Sequence, residues 1–321
     1  MKKTMRSNGV RNMSNKYQYR AFGLKIESEF SIVQLPLISF DTLPEVAVVS
    51  SDLSGLAIVP EDGFFIRADE IYFAVENLGK FRITNGKKIE VDRYPDGNGN
   101  LLSVFLMGSC MGAILHQRDV FLLHGSCVTN GRFAILITGD SGAGKSTLAS
   151  EFLAHGWKLI ADDVTALYDV ETLPMVQASY PSQKLWQDSL ERYKRKKEDI
   201  HSLYFEESRE KFGVNVSDCF FDGSCPLKLI IRLIPAKGTC SIRPIEGVAR
   251  VDQLFRNTYR LFMITEDRRQ EHFRRCAALS GKVEMALVLR DTERQCAGEL
   301  FDRIVNEIGE DGNVGTDCFK A

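Results

Sequence analysis

The chain has 321 residues, of which 44% are hydrophobic, enough for a buried core and too many for a disordered polymer. Lysine plus arginine is 41 and aspartate plus glutamate is 43, a formal charge of −2. That balance excludes a general pull toward nucleic acid or an anionic membrane surface.

The first stretch, "MKKTMRSNGVRNMSNK", is basic but has no apolar segment behind it, so residues 1–16 are expected to be a disordered tail rather than a secretory signal. Residues 17–98 read as a strand-rich N-terminal domain. "FRITNGKKIEV" alternates around Asn85-Gly86, a pair suited to a type I′ hairpin turn, and "FFIRADEIYFAV" alternates less regularly. "YPDGNGN", Tyr94 to Asn100, reads as a loop and a domain boundary. "LLSVFLMGSCMGAILHQRD" is apolar enough for a buried helix, and no apolar run is expected to reach the roughly 18 residues of a membrane span.

In "VFLLHGSCVTNGRFAILITG" two apolar strands flank a turn at Thr129–Arg132, and "FAILITG" has the composition of a central strand covered on both faces. "KSTLASEFLAHG" reads as a helix stopped by Gly156, and "WKLIADDV" as the next strand, completing a βαβ unit. "LWQDSLERYKRKKEDIHSLYFEESREKF" mixes both charges and reads as a solvated helix pair, with a lid or a peptide-docking surface as the alternative. "PLKLIIRLIPA" and "VEMALVLRD" are buried strands. "FRNTYRLFMITEDRRQEHFRRCAALSG" reads as a helix ending at Gly281. "ERQCAGELFDRIVNEIG" is an amphipathic helix closing a second domain, 99–308, before a tail at 309–321. The eight cysteines form no C-x-x-C pair and read as reduced thiols of a cytoplasmic protein.

Two motifs carry chemistry. Gly139-Asp140-Ser141-Gly142-Ala143-Gly144-Lys145-Ser146, followed by Thr147, fits G-x-x-x-x-G-K-[ST]. Small residues let the backbone curl until several N–H groups point at one centre, where a phosphate sits at the positive end of the following helix. Lys145 would reach the β- and γ-phosphates, and Ser146 would offer its hydroxyl to Mg²⁺. A glycine turn without a ligand is the ordinary alternative, but it does not explain why the motif lies between an apolar strand and a helix. No N-K-x-D motif reads guanine, which favours ATP.

Asp162 and Asp163 follow the next apolar strand, sixteen residues beyond Ser146. One helix fits in that interval and returns the chain to the same sheet edge, where α/β sites lie. Adjacent strand residues face opposite ways, so the two carboxylates need different jobs. One could face an acceptor hydroxyl as base, while the other faces the metal shell or locks the loop by hydrogen bonds. Cationic charge from Lys145 and Mg²⁺ is expected to keep both ionised. His124, in "LLHGS", is either a packing residue or a catalytic one.

"LLHGSCVTNGRFAILITGDSGAGKSTLASEFLAHGWKLIADDV" resembles the core of the HPr serine kinase/phosphorylase family. The resemblance implies an α/β, phosphoenolpyruvate-carboxykinase-like P-loop fold and ATP-dependent transfer to a serine. It further implies Asp162 as the base, Asp163 as its support near the metal, and His124 beside the γ-phosphate. The family's glycine-rich C-terminal signature is absent, and "ASYPSQKLWQDSLERY" stands in its place. "KLWQDSL" and "YRAFGLKIESEFSIVQLPLI" are similar to the lasso-peptide kinases, which phosphorylate the C-terminal serine of a precursor peptide. The expected partners are therefore a nucleotide and a precursor peptide, with no nucleic acid or membrane and with a homo-oligomer possible in principle. A small-molecule kinase, an HPr-type protein kinase and a non-catalytic ATP switch are the competing readings.

Overall fold

The computed structural model describes residues 16–56, 63–187, 190, 200–206 and 209–309. Both proposed tails lie outside these residues, apart from Lys16 and Gly309 at their inner ends, as does the charged stretch 191–199.

The N-terminal strands are β1 (Tyr17–Ala21), β2 (Leu24–Ser28), β3 (Val46–Ser50), β4 (Phe64–Ile66), β5 (Glu70–Val75), β6 (Gly79–Thr84) and β7 (Lys88–Arg93). They form one sheet in the order β1-β2-β3-β7-β6-β5-β4. The β6–β7 turn has the expected type I′ character: Asn85 and Gly86 both have positive φ, at 55° and 62°, and Lys87 N donates to Thr84 O at 3.1 Å. Asn98 caps the helix that follows, accepting from the N–H groups of Asn100 and Leu101.

That helix, α1 (Gly99–Gln117), contains a π-helical turn at Leu106–Cys110. It corrects the expectation that no segment is long and apolar enough to span a membrane. Its 19 residues meet that length and composition, but 72% of its most apolar window is buried inside the protein. It is apolar all round because it packs under the N-terminal sheet on one side and against β8, described next, on the other.

The larger sheet carries β8 (Phe121–His124), β9 (Ser126–Thr129), β10 (Ala134–Thr138), β11 (Lys158–Ala161), β12 (Val164–Tyr168) and β13 (Met175–Gln177). After a smaller sheet of β14 (Ser182–Trp186), β15 (Ile200–Glu206) and β16 (Arg209–Asn215), the chain rejoins it with β17 (Ser224–Ala236), β18 (Ser241–Pro244) and β19 (Glu284–Asp291). The main path is β11-β9-β10-β17-β13-β12-β8, and β19 joins β17 to β18. β10 is buried at all five positions, as its composition required. Ile135 and Ile137 face a cluster with α2 (Lys145–Ala154) and α5 (Ala297–Ile308); Ala134 and Leu136 face one with α3 (Val248–Arg256) and α4 (Glu266–Ser280). Alternation thus places helices on both faces.

Three expectations change. The strand after α2 does not pair with β10; β9 lies between them, antiparallel to both, so the crossover skips one strand while the ends of β10 and β11 still share an edge. Residues 182–186, 200–206 and 209–215 are strands rather than a helix pair, with Leu185, Phe212 and Val214 packed against α2 and the sheet. The helix expected from "FRNTYR" begins only at Glu266, because 257–265 form an irregular crossing segment.

Candidate active site

β10 ends directly in the glycine loop, and α2 starts at its Lys145. Gly142 and Gly144 have φ of 76° and 100°, the region where a side chain is strained. A Cβ on Gly139 would come within 2.6 Å of Leu233 O on β17, so glycine is required there for close approach. Lys145 Nζ donates to Gly139 O at 2.8 Å and Asp140 O at 3.0 Å, holding its charge across the loop. Neighbouring strands brace the loop: Arg232 Nη2 pairs with Asp140 at 3.0 Å, and Arg290 Nε donates to Ala143 O at 2.8 Å.

The two aspartates occupy the bend between β11 and β12. Val164 N donates to Asp162 O at 2.8 Å, closing a three-residue turn with Asp163 at its centre and φ of 70°. This strained conformation for a non-glycine residue turns the two side chains apart. Asp162 is 4% exposed. Its Oδ1 accepts from Ser126 Oγ at 2.5 Å and its Oδ2 from Lys184 N at 2.7 Å. Burial pushes its pKa up, against the lowering effect of those bonds.

Asp163 is the outward member, with its side chain 24% exposed. Its Oδ2 meets Lys184 Nζ at 2.6 Å, and its Oδ1 lies 3.4 Å from His124 Nδ1. Burial alone would lower the Lys184 pKa, but Asp163 with Tyr180 and Tyr259 carries it well above the usual lysine value. His124 Nδ1 also lies 3.0 Å from Asp163 O, so it faces two acceptors and carries the ring proton. Burial and the charge of Lys145 lower the His124 pKa against the opposing pull of Asp163, so the imidazole stays neutral. Geometry therefore sets the two apart: Asp162 is locked inside the bend, and Asp163 presents the accessible carboxylate.

β14 ties this bend to the loop. Gln183 Nε2 donates to Ser146 O at 3.3 Å, while its neighbour Lys184 engages both aspartates. Gly125 lets the β8–β9 connection pass under β10, since a Cβ there would lie 2.5 Å from Ile137 O. Ser126, Gln183, Lys184 and Arg232 were not singled out from sequence. Arg232 interrupts the apolar run of β17, whereas Gln183 and Lys184 are consecutive polar residues of β14 and Ser126 opens β9.

The donor set fits a nucleotide with magnesium. The loop offers the Lys145 cation and the N–H groups of the first turn of α2, while the Ser146 hydroxyl and Asp163 carboxylate are hard oxygen donors. Among the described residues no group of three or more His, Cys, Asp or Glu could hold a metal ion. Such an ion would take much of its coordination from phosphate oxygens.

One known family matches this same stretch. Residues 118–191 match the HPr Serine kinase C-terminal domain. The match spans His124, the glycine loop, both aspartates and Lys184. The chain is 42% identical over 59 residues to the HPr kinase/phosphorylase of Lacticaseibacillus casei, covering 18% of each chain. It is 49% identical over 53 residues to that of Limosilactobacillus reuteri, covering 16% of this chain and 17% of the relative. The chain thus spans about a fifth of the length of the curated relatives it matches, at 18% for the first. The solved Hpr(Ser) kinase/phosphatase from Coxiella burnetii aligns with 58% of this chain and 94% of its own, at 12% identity and a TM-score of 0.29.

Proposed function

We propose that the protein is an ATP- and magnesium-dependent kinase that transfers a phosphoryl group to a serine hydroxyl, on a phosphoenolpyruvate-carboxykinase-like P-loop fold. The observation that carries this reading is the pairing of a phosphate loop with one accessible carboxylate, Asp163, held by Lys184 and His124 at the same sheet edge. A binding switch needs the loop but has no use for a positioned base beside it.

In this reading the loop amides, Lys145 and Ser146 bind and orient the nucleotide, and Thr147 continues the helix whose positive end faces the phosphates. Magnesium, when bound at Ser146 beside Asp163, would supply charge neutralisation for the transferring group. Lys184 fixes one oxygen of Asp163, leaving the other to receive the serine proton. Neutral His124 supports the turn through its Nδ1–H. Asp162 keeps the bend in place through Ser126 and the β14 backbone. Phosphoryl transfer depends mostly on such positioning and on charge balance around a loose transition state.

For the acceptor, the likeness of "KLWQDSL" and the N-terminal strands to lasso-peptide kinases supports a peptide, namely the C-terminal serine of a lasso-peptide precursor. The test is mass spectrometry of precursor peptides encoded beside the gene after incubation with ATP and Mg²⁺. A mass gain of phosphate on the terminal serine is the expected result. Phosphorylation of a small metabolite with no peptide modified would overturn the peptide assignment.

A further inference from the structure

The segment after α3 crosses the open edge of the site. Near the phosphate loop, Asn257 Oδ1 accepts from Arg232 Nη1 at 2.9 Å, and Arg232 in turn holds Asp140. Further along it is stitched to β8: Asn257 O accepts from His124 N at 2.8 Å, and Tyr259 N donates to Leu122 O at 3.0 Å. Tyr259 lies beside the candidate base, its phenol pKa raised by burial and by the charge of Asp163, and its ring 6.2 Å from the His124 ring. The same Tyr259 ring lies 5.6 Å from the Arg260 guanidinium, so Arg260 and the His124–Asp163 pair share that ring as a neighbour.

Arg260 has features that the nucleotide reading does not use. Its backbone is left-handed, with φ of 47°, a conformation non-glycine residues adopt at a cost. Its Nε is buried without a hydrogen-bond partner. Among the described residues no carboxylate pairs with it, whereas Arg232, Lys184 and Arg268 each have one. The rings of Tyr259, Phe262 and Phe64 stand around its guanidinium at 5.6, 5.9 and 5.9 Å, and Phe262 is 45% exposed. The Tyr259 hydroxyl takes a hydrogen bond from Arg260 and the rings balance part of its charge, but Nε stays unmatched, and the planar fork suits a carboxylate.

We propose that Arg260 binds a carboxylate of the acceptor, next to the hydroxyl presented to Asp163, so that the site selects serine in an anionic setting. This deepens the serine-kinase reading and rests on it. Two acceptors share the chemistry: a chain-terminal serine with its own α-carboxylate, and an internal serine beside an acidic side chain.

The test uses fluorescein-labelled peptides of one sequence in four forms: ending in serine as the free acid, ending in serine amide, and carrying an internal serine beside Asp or beside Asn. Binding to the full chain is read by anisotropy with Mg²⁺ and a non-hydrolysable ATP analogue. The wild-type protein is expected to bind an anionic form roughly ten- to hundred-fold more tightly than its neutral counterpart. Preference for the terminal acid alone identifies the α-carboxylate as the group bound, and preference for the Asp peptide alone identifies a side chain. Arg260→Gln should erase the preference without weakening a fluorescent ATP analogue, and Arg260→Lys should restore part of it. Equal or absent peptide binding by the wild type overturns the proposal. So does a cooperatively melting Arg260→Gln protein that keeps the preference, or one that loses the ATP analogue instead. If Arg260→Gln does not melt cooperatively, retention of the full preference by Arg260→Lys counts against the fork geometry. An anionic preference with no phosphate transferred from ATP would sink the kinase reading and leave the carboxylate subsite standing.

Discussion

Asp162 and Asp163 are adjacent and chemically identical, yet their surroundings give them opposite properties. Asp162 accepts two hydrogen bonds inside the protein, while Asp163 shares one cation and remains accessible. Asp163→Asn is therefore expected to reduce transfer by roughly 10²–10⁴-fold while a fluorescent ATP analogue still binds. Asp162→Ala acts differently: it strands the Ser126 hydroxyl and the Lys184 N–H and should cost on the order of 2 kcal/mol, read as a lower midpoint in urea. Loss of transfer in a fully stable Asp162→Asn protein, with Asp163→Asn active, would return the base to Asp162. Lys184→Met should cost on the order of 3 kcal/mol, because it leaves a partly buried carboxylate without its cation. A double-mutant cycle with Asp163→Asn should show that most of this cost is coupling between the two.

At the scale of elements, the site depends on how a few segments approach one another. Tyr259 seats its ring against the π-turn region of α1, where Gly108 and Gly112 provide the room. A Cβ on Gly112 would lie 2.8 Å from Tyr259 Cε1. Gly112→Ala should therefore lower the melting temperature by several degrees, against a cost of about 1–3 kcal/mol for overpacking, although alanine favours a helix. An unchanged or raised melting temperature would show that the ring yields freely. The charged stretch "LWQDSLERYKRKKEDIHSLYFEESREKF" shows how local composition misleads at this scale. Its flanks make strands because Leu185, Ile200, Phe212 and Val214 gain a buried surface on α2 and the sheet, and tertiary burial outweighs helix propensity.

For the whole molecule, one apolar cluster runs from the N-terminal sheet through α1 to Leu122, Val164, Tyr180 and Tyr259 beside the site. A chain starting at residue 99 would expose that surface and is expected to lose its cooperative thermal transition, which calorimetry or circular dichroism would register. The same region holds His116, whose Nε2 lies 2.8 Å from Tyr259 O. Burial lowers its pKa from 6.5 to about 4. The unfolded chain then takes up a proton that the folded chain refuses. The stabilising contribution is present above pH 6.5 and is lost as pH falls toward about 4, at most ~3 kcal/mol from this group. Urea titrations across that window should show it, and His116→Gln should flatten part of the slope if the glutamine keeps the contact with Tyr259 O.

The phosphate loop, its place between a central strand and a helix, the I′ hairpin, and the arrival of two carboxylates at the same sheet edge are all legible along the chain. These follow from short-range rules: glycine spacing, apolar runs and the length of one helix. Which aspartate is accessible emerges only on folding, because it depends on a left-handed turn at Asp163 and on partners 36 and 22 residues away from Asp162 in the chain. Folding alone brought Lys184 and Tyr259 to the site from distant segments, with Arg260 against the Tyr259 ring. No local pattern marks them, since a lysine in a polar strand or an arginine after a tyrosine acquires its role from what it packs against.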